Sequence, residues 1–210
     1  MRRVDDPASD EAIPLENADP YSNKHNQIIS RLLHFINAVS TELEQANQEL
    51  TRIVGIDELT RIYNRFKLDD ILQSEISRSE RYNTMDVDYF KQINDNYGHL
   101  AGDAVLVQVA CILKETVRQT DVFGRWGGDE FLIILPETNL EQATLVAKKI
   151  QKAVNLQPFS IAKQVTCSFG VTQYLKDDNR DDILTRSDRA LYQAKNSNRN
   201  AIAILERNEP

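Results

Sequence analysis

The stretch "DVFGRWGGDEFLIILP", Asp121 to Pro136, decides how this chain is read. Two apolar, strand-like runs, Val122–Trp126 and Phe131–Leu135, flank a tight Gly127-Gly128-Asp129-Glu130. Paired glycines predict a hairpin turn, because they accept the positive φ that other residues resist. Adjacent carboxylates at a bend repel each other, so Asp129 and Glu130 call for a partner that offsets their charge. A solvated acidic turn is the competing reading.

Upstream, "MDVDYFKQINDNYGH" sets Asp86 and Asp88 two apart, on one side of a strand that Tyr89-Phe90 would end. A strand-end carboxylate facing a hairpin-tip carboxylate suits a hard divalent ion, which takes oxygen ligands. Asp129 can thus share Mg²⁺ with Asp86, and the glycines let a phosphate chain come close. Asn94 and Asp103 can together recognise a purine edge, the amide pairing a carbonyl and the carboxylate accepting from N–H groups. A turn or helix cap for Asn94 and a helix-start charge for Asp103 are the plainer alternatives. Lys195 and Arg199 lie four apart, which on one helical face suits a triphosphate tail. His99 reads as a loop or packing histidine.

The composition sets bounds on all of this. With 210 residues, 41% of them hydrophobic, the chain can build one domain with a real core and carry an extension. A net charge of −7 argues against a general nucleic-acid surface, while leaving room for local basic clusters. Cys111 and Cys167 lack metal-type spacing and make no disulfide framework, which fits a reducing cytoplasm. No apolar run approaches the roughly 18 residues of a membrane span, so no direct membrane anchor is expected.

Residues 1–21 are acidic, proline-bearing and poor in aromatics, the pattern of a disordered tail. Over 22–54 the character changes to a helical stalk. Ile29, Ile36, Leu43 and Leu50 alternate with Leu32, Val39, Ala46 and Ile53 in steps of three and four, a heptad seam that favours a homodimer. Ile28, Leu33 and Phe35 widen the apolar face over 28–39, so that half either joins a larger bundle or receives a regulatory protein. From 55 to 207 strands and helices alternate in one domain. An amphipathic helix carries Phe66, Leu68, Ile71, Leu72 and Ile76, and further helices cover about 101–118, 140–155 and "DILTRSDRALYQAKNSNRN". "VTCSFGVTQYL" and "AIAIL" supply strands, giving a single-sheet α/β sandwich.

"RWGGDEF", "DVDYFKQINDNYGHLAGD", "DELTRIYNR" and "ALYQAKNSNRN" stand in the order and spacing of the GGDEF-domain diguanylate cyclases, and the chain resembles that family from about Asp57 to Leu205. The resemblance implies a palm-like α/β domain, a central mixed sheet flanked by helices and related to nucleotidyl cyclases and polymerases, here preceded by a coiled-coil stalk. It implies condensation of two GTP into cyclic di-GMP with release of two pyrophosphates. By it, Asp86, Asp129 and the Val87 carbonyl hold Mg²⁺, with Mn²⁺ able to substitute. Glu130 stands near the attacking hydroxyl as a base or metal helper. Asn94 and Asp103 read guanine. Lys195 and Arg199, with the backbone around Phe90-Lys91, hold the phosphates. "RQTD" resembles the family's product-inhibition site, so Arg118 and Asp121, with Lys149 as a weaker neighbour, are expected to bind cyclic di-GMP.

One departure stands out. The family has a full apolar strand leading into the first metal aspartate, whereas here only Asn83-Thr84-Met85 separate the helical pattern from Asp86. A strand usually needs about 5–6 residues. The expectation is an omitted segment, visible as a chain break near Asn83–Asp86. Should the chain be truly short there, Asp86 would be displaced, which favours the alternative of a non-catalytic cyclic di-GMP receptor or scaffold.

Overall fold

In the computed structural model, which describes residues 20–75, 81–160 and 164–206, the hairpin stretch forms β2 (Val122–Arg125) and β3 (Glu130–Leu135). Around it the chain runs α1 (Pro20–Val54), α2 (Arg65–Glu75), β1 (Arg81–Val87), α3 (Phe90–Tyr97) and α4 (His99–Thr116). After the hairpin come α5 (Leu140–Leu156), β4 (Cys167–Gln173), α6 (Arg180–Asn196) and β5 (Ile202–Leu205). The tail expected over 1–21 falls almost wholly outside the described residues, as do Ile76 and residue 207.

The five strands make one mixed sheet in the order β2-β3-β1-β4-β5, parallel between β4 and β5 and antiparallel elsewhere. Side chains alternate across a strand, and on β3 this sorts the core. Phe131, Ile133 and Leu135 pack with Val109 and Leu113 of α4 and with Ala147 and Ile150 of α5. Leu132 and Ile134 pack on the opposite face with Leu68 and Leu72 of α2 and Ile183 of α6. Both faces are thereby buried, which explains why β3 is apolar throughout.

The expectation of a lost strand is corrected. β1 has seven residues, because α2 ends at Glu75 and Arg81-Tyr82 are extended. Each residue from Arg81 to Asp86 pairs in unbroken register with both β3 and β4, so no break interrupts that stretch. Asp86 is not displaced and lies opposite Glu130. The strand is central yet polar. Thr84 donates to Ser187 Oγ at 2.7 Å. Fully buried Asn83 donates to the Ala143 carbonyl at 3.1 Å, while its own Oδ1 has no partner among the described residues.

The chain divides into two compact units between Gln48 and Glu49. In the first, α1 leaves Ile29, Leu32, Ile36, Val39 and Leu43 exposed, together with Ile28, Leu33 and Phe35. No helix among the described residues is long and apolar enough to cross a membrane.

Candidate functional site

The site is built where β1 ends beside the start of β3. Asp86 and Glu130 are register partners, and the Val87 amide donates to the Asp129 carbonyl at 3.2 Å. Strand pairing thus brings Asp86, Asp129 and Glu130 together there. Asp86 is 5% exposed, and Lys195 Nζ lies 2.8 Å from its Oδ2. Burial is the main cause that raises the Asp86 carboxyl to about 6, with the Asp129 and Glu130 charges adding to it and Lys195 opposing. Asp188, on α6, is also pushed upward, first by partial burial and then by Glu130, against the pull of Lys195.

Lys195 thus pairs with Asp86 where the charges of Asp129, Glu130 and Asp188 also act, an excess of negative charge that a hard cation with oxygen ligands would offset. Among the described residues no cluster of three or more His, Cys, Asp or Glu side chains has metal-holding geometry. The oxygen donors expected from the sequence, the Asp86 and Asp129 carboxylates with the Val87 carbonyl, lie where β1 ends beside the start of β3. The residues present fit a divalent ion in charge and in donor type.

The turn itself differs from expectation. Neither Gly127 nor Gly128 has a positive φ. The bend is closed by Trp126 N donating to the Glu130 carbonyl at 2.8 Å and by Arg125, whose Nη2 and Nε donate to Gly128 O at 2.8 and 3.1 Å. Asp57 holds the other end of that guanidinium in an ion pair at 3.4 Å. Gly128 faces open space, since a Cβ there would meet nothing within 4 Å, whereas one on Gly127 would sit 3.2 Å from Glu130 Oε2.

Lys195 and Arg199 do not share a helical face. α6 stops at Asn196, and Asn198, Arg199 and Asn200 all take left-handed backbone, with φ of 72°, 57° and 44°. The Arg199 guanidinium lies over the Tyr89 ring, 4.4 Å from its centroid. Asp88 sits past the end of β1 and accepts from Ser168 Oγ, Thr166 Oγ1 and the Asn200 amide, at 2.7, 2.8 and 2.9 Å. It is a buried brace between β1, β4 and the segment after α6.

Gly102 of α4, the chain neighbour of Asp103, lies against Asn94 of α3 so closely that a Cβ there would sit 2.0 Å from Asn94 Oδ1. That oxygen is buried against Gly102 with no hydrogen-bond partner among the described residues. Phe90 opens α3 and packs on the core, Lys91 beside it is exposed, and His99 is an exposed residue at the start of α4.

Arg118, Asp121 and Lys149 line one cavity of about 230 Å³, together with Thr116, Thr138 and Gln142. Asp121 Oδ2 accepts from the Arg118 amide at 2.8 Å, which closes the turn and leaves the exposed guanidinium at the rim. Lys149 Nζ donates to the Thr116 carbonyl at 3.0 Å.

A family model described as "Diguanylate cyclase, GGDEF domain" matches residues 54–201. The chain belongs to the GGDEF-domain family. Diguanylate cyclase DgcP of Pseudomonas aeruginosa is 36% identical over 157 residues, covering 70% of this chain and 23% of that protein. The response regulator PleD of Caulobacter vibrioides is 37% identical over 158 residues, 70% of this chain and 35% of its own length. The chain thus spans a minor part of the curated relatives it matches. Among solved structures, the GGDEF domain here resembles diguanylate cyclase SiaD of Pseudomonas aeruginosa in complex with its activator SiaC. The TM-score is 0.68 at 31% identity, covering 89% of this chain and 75% of that one. The coiled coil and GGDEF domain of DgcB from Caulobacter crescentus, in complex with c-di-GMP, gives 0.69 at 24% identity over 84% of this chain and 99% of that one. At that identity the likeness speaks for the fold alone.

Sequence reading missed three parts of this GGDEF domain. The Asp57–Arg125 pair joins positions 68 residues apart, and nothing local announces it. Asp188 stands seven residues before Lys195 on α6, two helical turns, a spacing that could have flagged it. Tyr89 was read only as a strand-end aromatic.

The raised Asp86 carboxyl yields a stability prediction. Its folded pKa of about 6 lies above the ordinary 3.8, so its contribution is fully present below pH 4 and is lost as pH rises through about 6. Asp86→Asn is expected to melt higher than the wild-type chain at pH 8 in EDTA, by on the order of 2 kcal/mol or roughly 4–8 °C, and no higher at pH 4. Thermal melts at the two pH values check this, and equal melting at pH 8 would refute it.

Proposed function

We propose that the protein is a cytoplasmic, Mg²⁺-dependent diguanylate cyclase that condenses two GTP into cyclic di-GMP and releases two pyrophosphates. The observation that carries this reading is the convergence of Asp86, Asp129 and Glu130 where β1 ends beside the start of β3, with Lys195 on Asp86. The diguanylate cyclases among the relatives support it. A bound divalent ion would polarise the α-phosphate and offset charge on the leaving pyrophosphate, and Mn²⁺ has the same donor preference. Asp86, Asp129 and the Val87 carbonyl hold that ion. Glu130 stands at the start of β3 to orient the attacking 3′-hydroxyl and take its proton. Asn94 and Asp103 receive guanine. Lys195 and Arg199, with the backbone at Phe90-Lys91, receive the phosphates.

One domain presents one GTP, so the product forms between two copies of the chain. α1 acts as the stalk that pairs them through its heptad seam. Its wider apolar stretch over 28–39 receives a regulatory protein, a reading supported by the likeness to SiaD, whose structure includes an activator. The receptor alternative drew on a missing strand and a displaced Asp86, and β1 supplies the strand. Incubation of the full chain with GTP and Mg²⁺, with nucleotide products separated by chromatography, tests the proposal. Cyclic di-GMP is the expected product, and its absence from the paired chain overturns the enzymatic reading.

The cavity of Arg118, Asp121 and Lys149 is the seat of product feedback. Arg118→Ala removes a charge-assisted phosphate contact, so the cyclic di-GMP concentration for half-inhibition should rise about tenfold or more. Initial rates at fixed GTP and varied product measure it. Unchanged inhibition would return "RQTD" to an ordinary helix-end turn.

A further inference from the structure

Arg199 is held in an unusual way. The backbone of Asn198-Arg199-Asn200 is left-handed at three successive non-glycine residues, each of which costs on the order of 1 kcal/mol unless its surroundings impose it. Asp88 imposes it from one side, through the Asn200 amide, and Asn155 from another, donating to Asn200 Oδ1 at 3.0 Å. The Arg199 side chain makes no hydrogen bond or ion pair among the described residues. What orders it is the face of Tyr89, 4.4 Å away.

This choice of partner has chemical meaning. A carboxylate would order an arginine by occupying its N–H donors, whereas an aromatic face orders the planar group and leaves its donor edge open. Tyr89 is itself left-handed, with φ 57° and ψ 27°, and sits between the Asp88 brace and α3. Asp86, Asp88 and Tyr89 therefore set metal ligand, backbone brace and arginine platform within four residues of chain. From this we infer that Tyr89 is a positioning residue for the triphosphate subsite: its ring pre-orders the Arg199 guanidinium with the donors free for phosphate oxygens. The inference rests on the reading above that Arg199 receives the phosphates of GTP.

The test is a comparison of Tyr89→Ala, Tyr89→Phe, Arg199→Ala and the Tyr89→Ala/Arg199→Ala double variant in the full chain, by calorimetric binding of GTP and of GMP. Loss of a partly exposed cation–π contact and of side-chain order should weaken GTP binding about three- to tenfold in Tyr89→Ala. Tyr89→Phe keeps the ring and should bind GTP as the wild type does. On the Arg199→Ala background, Tyr89→Ala should change GTP affinity little, because its effect passes through Arg199. GMP, which lacks the distal phosphates, should bind all variants alike. Additive effects of the two substitutions, a Tyr89→Phe as weak as Tyr89→Ala, or an unchanged GTP affinity in Tyr89→Ala would each overturn the inference. Binding is read apart from turnover, so a chain that binds GTP but forms no cyclic di-GMP would sink the enzymatic proposal and still decide this one.

Discussion

Asp129→Ala is expected to form cyclic di-GMP at least about a hundredfold more slowly than the wild-type chain, the scale of losing one group that stabilises charge during reaction. The fold should survive. The side chain of Asp129 is partly exposed, and what fastens the turn is its backbone carbonyl on the Val87 amide and the Arg125 guanidinium on the glycine carbonyls. Alanine leaves both in place. It also removes a like charge from beside Asp86, one of the causes of that carboxyl's raised pKa, so the metal-free variant should be no less stable. Product formation with Mg²⁺ and thermal melting, measured side by side, separate the two effects. Near-normal turnover in a well-folded variant would mean the ligand set is misassigned.

Removal of residues 1–50 should lower activity about tenfold or more at nanomolar protein, with recovery as concentration rises. The core does not depend on those residues, because every member of its two buried clusters lies beyond them. What is lost is the exposed apolar seam of α1, and with it, under the proposed pairing, the high effective concentration of one domain for its partner. Two untethered domains must then meet by diffusion, which makes the rate depend on the square of enzyme concentration when dilute. Initial rates across a dilution series measure this. Concentration-independent specific activity in the truncated chain, equal to that of the full one, would end the idea.

What was legible in the sequence was what depends on near neighbours. The hairpin run at 131–135 is apolar because both faces of β3 are buried, and the heptad spacing of α1 is a property of one helix. The carboxylates at 86 and 129 could be paired because each marks the end of a strand. β1 was misjudged because "RYNTM" has no apolar run. It is a strand by virtue of the two strands that flank it, a tertiary effect that overrides local preference. The spacing of Lys195 and Arg199 misled for a related reason. An interval of four residues implies a shared face only while the helix lasts, and "NSNRN" is rich in residues that leave helices for turns. The glycines at 127 and 128 implied strained φ values, yet Arg125, held by a distant aspartate, closes the bend without them.

The polar central strand also bears on how the chain matures during synthesis. Arg81–Val87 offers only Tyr82, Met85 and Val87 as apolar side chains, split between the two faces of the sheet, and both of its partners lie downstream, β3 at 130–135 and β4 at 167–173. At roughly 5–20 residues per second, translation leaves that strand waiting on the order of several seconds for its second edge. Throughout that interval its amide and carbonyl rows stay open to any neighbouring nascent chain. α1 precedes every strand in the chain, so the segment that would pair two copies is made well before either sheet can close. Timing of translation, as much as sequence, then governs whether two such chains meet as finished domains or as open sheets.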